Sequence, residues 1–422
     1  MKVKIMPISF LNKNFKIILL LILLILIFYR SPYILTSGRF IAEEGSFWFR
    51  NAYLDGPLTG ITQIFWGSGY LNLWANIASV FATFVPLKFA PLVTVYFAFL
   101  VQLYVFIFII FSKSEFIVTN LDKLVISFLI LLSPCMVAEV WLNTLTSQVY
   151  FTILTILIYF QKYTPNNFFS KFSPIVIFIS GLTSILPNIL LPFFVYKYLK
   201  YKSKYDLYNL FLLSITTAIQ SYIFIYSKLN SLDWGGQAQR FIITYDKFIN
   251  FIYNVVVKSF FGRDLTHAIY DKFLISINLK FLSLLITFFF IAFLIKFSKK
   301  VKSDKILMSL LLMFFFISVI SILGSKMEQV AGRFALIPGI ILVLSIYRFF
   351  QISHGISRII SISLITVSLF AGIYEFKYNN LIPKLLICKN CPHWSEEVNK
   401  WKLDNSYNLK IWLYPKKTMS LN

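Results

Sequence analysis

The sequence predicts an all-α polytopic membrane protein: about eleven transmembrane helices, outer-face loops and a small extracytoplasmic C-terminal tail. Three observations predict it. Of 422 residues, 58% are hydrophobic and only 14% charged, whereas a soluble domain carries about a quarter charged residues. The apolar residues fall in long runs, and about 20 of them in helix cross a hydrocarbon core of about 30 Å. The runs are apolar on all sides rather than alternating, which excludes barrel strands. Helices are then the remaining way to satisfy the backbone without water.

The net charge of +23 does not indicate a nucleic-acid partner. The Lys and Arg residues sit between the apolar runs, the pattern of loops held in the cytoplasm; the partner they imply is the bilayer.

The elements follow in order. Ile17–Tyr29 comes after Lys2, Lys4, Lys13 and Lys16. It lacks a cleavage site, so it reads as a signal anchor that becomes the first helix. The next runs are Phe89–Phe111, Leu124–Ala138 and Thr146–Phe160. Ser173–Tyr196 contains Gly181, Pro187 and Pro192. We read it as two short helices, 173–186 and 188–200, turning near Pro187, because one helix would place the later basic loops outside. Leu207–Ser227, Phe281–Ile295, Ile306–Gly324, Phe334–Tyr347 and Ile359–Tyr374 complete the set. Tyr70–Leu87 is uncharged but short and ends at Pro86; it reads as a helix at the outer interface.

This arrangement places nineteen Lys or Arg in short inside segments and two, Lys326 and Arg333, in short outside loops. Long loops are exempt from the rule. The N-terminus is then cytoplasmic and the C-terminus extracytoplasmic. Residues 1–374 form the transmembrane domain, with outer loops 36–88 and 228–278, and residues 375–422 form the tail.

The polar residues gather outside. In the turn 138–148, Glu139, Asn143, Thr146 and Gln148 either cap helix ends or line a polar cavity. Glu43 and Glu44 are adjacent carboxylates, whose repulsion raises one pKa unless a cation is near. Such a pair acts as a general base or a divalent-metal site, or simply ion-pairs with Arg39 and Arg50. Lys326, Glu328 and Arg333 precede a helix, where cations suit a lipid phosphate or pyrophosphate, or anchor phospholipid headgroups. In the tail, Cys388 and Cys391 either form a local disulfide or remain two free thiols, since a lone CxxC with one His is not a zinc site. Cys135 packs as a small apolar residue. Trp394, Trp401 and Trp412 pack on the outer loops or interface, and Lys410–Pro415 has weak strand character. His267 and His354 carry no role.

The stretch Phe40-Ile41-Ala42-Glu43-Glu44-Gly45, then Gly69-Tyr70-Leu71 and the short helix to Pro86, resembles bacterial membrane glycosyltransferases of the GT-C fold. The Gly181–Pro192 break and the outer Arg333 are also similar. In layout the resemblance covers most of residues 15–375. The usual acidic pair contains Asp, and here both residues are Glu. The resemblance implies a polyprenyl-phosphate sugar as donor and a glycan or lipid-linked acceptor, at the outer face of the bacterial cytoplasmic membrane. It implies Glu43 or Glu44 as base or metal ligand and Arg333 and Lys326 as phosphate-binding groups. Arg39, Arg50, Tyr70, Glu139, Asn143, Gln148, Asp233 and Glu328 would surround the substrates. No Walker or nucleotide-binding Gly-rich motif occurs, in keeping with a lipid-linked donor. A transporter or flippase of lipid-linked saccharide is the competing class. It normally places ionisable residues at helix centres, often in two related halves, and this sequence has neither. A saccharide polymerase is a variant within the enzyme class.

Overall fold

Helices dominate the chain because its apolar runs can close their hydrogen bonds in no other way within lipid. The computed structural model describes residues 8–230, 232, 242, 244–264, 266, 298–325, 330, 332–378, 393–412 and 417–422. The expected span Phe281–Ile295, with Asp233, His267, Lys326, Glu328, Cys388 and Cys391, lies outside the described residues.

The longer helices are α1 (Ile8–Arg30), α2 (Leu73–Thr83), α3 (Ala90–Phe111), α4 (Asn120–Leu131), α5 (Gln148–Tyr159) and α6 (Phe168–Thr183). They continue with α7 (Leu191–Tyr201), α8 (Lys204–Leu229), α9 (Lys305–Gly324), α10 (Arg333–Ile352), α11 (Ile356–Tyr378) and α12 (Trp394–Leu403). Among the described residues, five helices are long and apolar enough to cross a membrane: α3 with its leading turn, α8, α9, α10 and α11. A bent pair, Phe168–Thr183 with Ile185–Tyr201, makes six if counted as one span. This is a membrane-type helical protein, and eleven crossings is a finer count than these residues give. The 11 residues of α2 extend about 16 Å at 1.5 Å each, half the hydrocarbon core and too short to cross it alone.

Burial is ordered as in a bilayer protein. Val149 to Tyr159 of α5 are buried on every side, and most of α10 is buried with them, so these two form the centre. Around them the usual amphipathic logic is inverted. On α8 the buried stripe includes Asn209, Thr216, Gln220 and Ser227. Its outer face exposes Tyr208, Phe211, Tyr222 and Ile225. Surface this apolar is unstable in water and suited to lipid, while the polar groups find partners inside.

The break in Ser173–Tyr196 falls at Ser184, three residues before the proline expected to turn it. Ser184 is extended (φ −156°, ψ 154°), and the two helices meet at 118°. The exposed backbone is satisfied locally. Asn188 Nδ2 donates to the carbonyls of Gly181 and Ser184, both at 2.8 Å. Gln220 Nε2 donates to those of Gly181 and Leu182, at 3.2 and 3.1 Å. Side-chain amides thus replace the missing ladder, which is what permits broken helices at membrane depth. Gly181 is required here, because a Cβ would lie 2.1 Å from Thr216 Oγ1.

The hairpin returns to the end where it began. Lys197 Nζ donates to the carbonyls of Tyr159 and Gln161, at 2.6 and 3.2 Å, and Tyr205 stacks on Tyr163 with ring centroids 4.8 Å apart. The molecule therefore has two ends. A basic end joins Asp122 to Tyr347 and Gln351, and Asp304 to Arg348. A loop end collects the first loop, the 138–148 turn, the start of α10 and the tail.

In the tail, α12 precedes a two-stranded antiparallel ribbon, β1 (Leu409–Lys410) and β2 (Thr418–Met419), with Leu409 opposite Met419. It docks on the first loop. Trp412 N–H donates to the Phe40 carbonyl at 3.0 Å and Trp394 Nε1 donates to that of Leu87 at 2.8 Å. Phe40, Phe49, Trp394, Ile411 and Met419 share one apolar cluster. The tryptophans pack against the loop, as the sequence suggested. Cys135 is buried and packs at 3.4 Å from Ser259 Oγ.

Candidate functional site

The first loop turns sharply after α1. Gly38 takes φ +69°, and a Cβ there would meet the Leu92 backbone nitrogen at 2.8 Å, so the loop hugs the start of α3. A π-helical turn at Glu44–Phe49 follows. Successive residues on a helical path point about 100° apart, and this separates the two glutamates.

Glu44 points inward and is 1% exposed. Its Oε1 accepts the Thr144 hydroxyl at 2.5 Å and the Thr144 N–H at 3.2 Å, and its Oε2 accepts the Ile41 N–H at 3.4 Å. Burial pushes its pKa up, against the pull of the Thr144 bonds and the Arg39 charge. Arg39 is equally buried; it donates to the Trp141 carbonyl at 3.0 Å and lies 5.0 Å over the Trp412 ring. Glu44 and Arg39 thus tie the first loop to the 138–148 turn and the tail.

Glu43 points the other way, into a cavity of about 760 Å³. Its Oε1 accepts from Lys417 Nζ at 2.9 Å. Burial alone would raise its pKa. The Lys417 hydrogen bond, a backbone hydrogen bond and the charges of Lys417 and Arg333 outweigh that and hold it below the ordinary glutamate value. Arg333 lines the same cavity and its Nε lies 3.5 Å from Glu139 Oε1, both half-exposed. Tyr70 and Gln148 also line it, and Gln148 Oε1 accepts the Ser184 hydroxyl at 3.1 Å. The rest of the lining mixes apolar Leu186, Ile189, Phe224, Ile320 and Ile337 with polar Asn188, Thr217, Gln220 and Ser321.

Of the residues expected at a site, the structure brings Glu43, Tyr70, Gln148 and Arg333 to one cavity, with Glu139 behind Arg333. It does not bring Glu44, Arg39, Arg50 or Asn143 there. Arg50 Nε donates to the Ser420 carbonyl at 3.0 Å and so fastens the tail. Asn143 braces its own turn, donating to the Glu139 carbonyl at 2.9 Å and accepting the Leu145 N–H at 3.0 Å. A divalent ion between the glutamates does not fit this arrangement. Glu44 has its oxygens occupied, and Glu43 is held by an ammonium group. Among the described residues no three His, Cys, Asp or Glu side chains come together.

Sequence reasoning missed Lys417, Asn188 and Gln220. Lys417 lies 374 residues from its partner Glu43, and only tail docking joins them. Asn188 and Gln220 carried a usable signal: each is an amide within an apolar run beside a proline-broken segment.

No protein-family model, curated protein or solved structure matches the chain.

Proposed function

We propose that the chain is a membrane glycosyltransferase that moves a sugar from a polyprenyl-phosphate donor to a glycan or lipid-linked acceptor, on a GT-C-like scaffold of about eleven helices. The observation that carries this reading is one cavity lined by a carboxylate, two cations and several large apolar side chains. A phosphate-linked sugar with a hydrocarbon tail needs that combination.

In this mechanism Glu43 is the general base. It takes the proton from the acceptor hydroxyl as that oxygen bonds to the anomeric carbon. The bond from that carbon to the phosphate oxygen breaks, and the polyprenyl phosphate leaves with the electron pair. Lys417 leaves Glu43 and, with Arg333, meets the charge developing on the leaving phosphate, where prepositioned cations act most strongly. Glu139 holds Arg333 in place. Glu43 is ionised at neutral pH, as an ordinary glutamate is, and the departure of Lys417 removes the main influence that lowers its basicity. The loop end is extracytoplasmic on this reading and the basic end cytoplasmic, as the distribution of Lys and Arg favours, in a bacterial cytoplasmic membrane.

The test is a reconstitution. The purified chain in proteoliposomes is given polyprenyl-phosphate sugars and glycan acceptors, and both transferred sugar and donor orientation are measured. Transfer with release of polyprenyl phosphate supports the proposal. Donor movement between leaflets with no transfer replaces it with a flippase.

A further inference from the structure

A second cavity, of about 280 Å³, lies at the basic end, remote from Glu43. Its polar lining includes Lys197, Lys200, Lys305, Tyr196, Tyr201 and Ser309. Four chain segments line it: Glu115, the end of α5 at Tyr159 and Phe160, the end of α7, and residues 303–309. The C-terminal end of α7 brings Lys197 and Lys200, and the first turn of α9 brings Lys305.

The charges there are unevenly compensated. Asp304 lines the cavity but accepts two hydrogen bonds from Arg348, at 2.7 and 3.1 Å. Lys197 is buried, 3.6 Å from Asp206, and fixed by the carbonyls of Tyr159 and Gln161. Lys200 and Lys305 both line the cavity, and among the described residues Glu115 is the remaining opposing charge in the lining. Lys200 Nζ donates to the Tyr201 hydroxyl at 2.8 Å and lies 4.5 Å from the Tyr201 ring centroid. The first turn of α9 is capped by Asp304, whose Oδ1 accepts the Leu307 N–H at 2.7 Å, so the lysine side chains and not the helix end are the groups open to an anion. Two ammonium groups lining one cavity can contact a single anion together through charge-assisted hydrogen bonds.

We propose that this cavity is a binding site for a phosphate group, held by Lys200 and Lys305. The same lysines that set orientation by their number thereby form a specific site. The proposal is independent of the sugar-transfer reading.

The test uses the purified full chain in neutral detergent. Native mass spectrometry measures retention of short-chain phosphatidylglycerol and phosphatidylcholine, with inorganic phosphate as competitor. The expected result is selective retention of phosphatidylglycerol, weakened at least about tenfold by Lys200→Gln with Lys305→Gln. Lys171→Gln, an exposed lysine at the same end, leaves it unchanged. Retention unaffected by millimolar phosphate assigns the site to lipid; displacement by phosphate assigns it to a soluble phosphate. Equal retention of the two lipids, or wild-type retention by the double variant, overturns the proposal. Thermal unfolding without lipid checks the fold. If the double variant does not fold, the same criteria apply to Lys305→Gln alone.

Discussion

Glu43 and Glu44 are joined by one peptide bond, yet one faces a cavity and the other a closed interior. The difference comes from packing. Glu44 accepts three hydrogen bonds and sits near a buried guanidinium, whereas Glu43 meets a single lysine at about one-third exposure. Removing an acceptor from a buried network costs about 1–3 kcal/mol, and a pair as exposed as Glu43–Lys417 contributes under about 1 kcal/mol. Glu44→Gln should therefore lower the unfolding midpoint in detergent clearly, while Glu43→Gln leaves it near wild type. Equal midpoints for the two variants would contradict the division of roles. The sequence shows two equivalent carboxylates here, because neither local propensity nor charge tells which one faces Thr144. The same limit hides Lys417, whose relation to Glu43 depends on how the tail lies on the first loop.

Among the elements, the tail carries the most testable chemistry. Glu397 on α12 is 1% exposed and accepts from Lys400 Nζ, the Tyr407 hydroxyl and the Lys410 N–H, at 2.8, 2.8 and 2.9 Å. Burial would raise its pKa, but these three bonds together hold it below the ordinary value. Glu43, the tail's contact with the first loop, is also held low. A carboxylate with a depressed folded pKa stabilises above its unfolded pKa, and that contribution is lost as pH falls through the folded one. Tail docking should thus be intact at pH 7 and weaken only below about pH 4.5, near the unfolded glutamate pKa. Hydrogen exchange at Leu409–Trp412 measures this; unchanged protection at pH 3.5 would contradict it. The helix elements were legible from apolar runs, and Trp394 and Trp412 from the polarity around them. The break was legible in kind but misplaced. Pro187 marks a segment unable to continue a ladder, while the bend itself depends on Asn188 and Gln220 satisfying carbonyls from a distance.

At the scale of the whole molecule, lysine position led to the expectation that the basic loops share one side. Lys197 at the end of the returning hairpin meets Gln161, and the tail meets the first loop. Charge distribution is a global property readable from sequence, because each basic loop is fixed to one side independently of packing. The number of crossings was less legible. Runs such as Leu124–Ala138 end as helices of only 12 residues, shortened by turns that pattern alone does not reveal. The arrangement gathers Glu43, Tyr70, Gln148, Arg333 and Lys417 at the loop end and leaves a separate lysine-rich cavity at the other. The account stands most directly on sugar transfer in membranes containing Glu43→Gln or Glu44→Gln at matched abundance of inserted protein. It predicts loss of transfer for Glu43→Gln, by about 100-fold or more for a missing general base, and retained turnover per folded molecule for Glu44→Gln. Wild-type transfer by Glu43→Gln would contradict it.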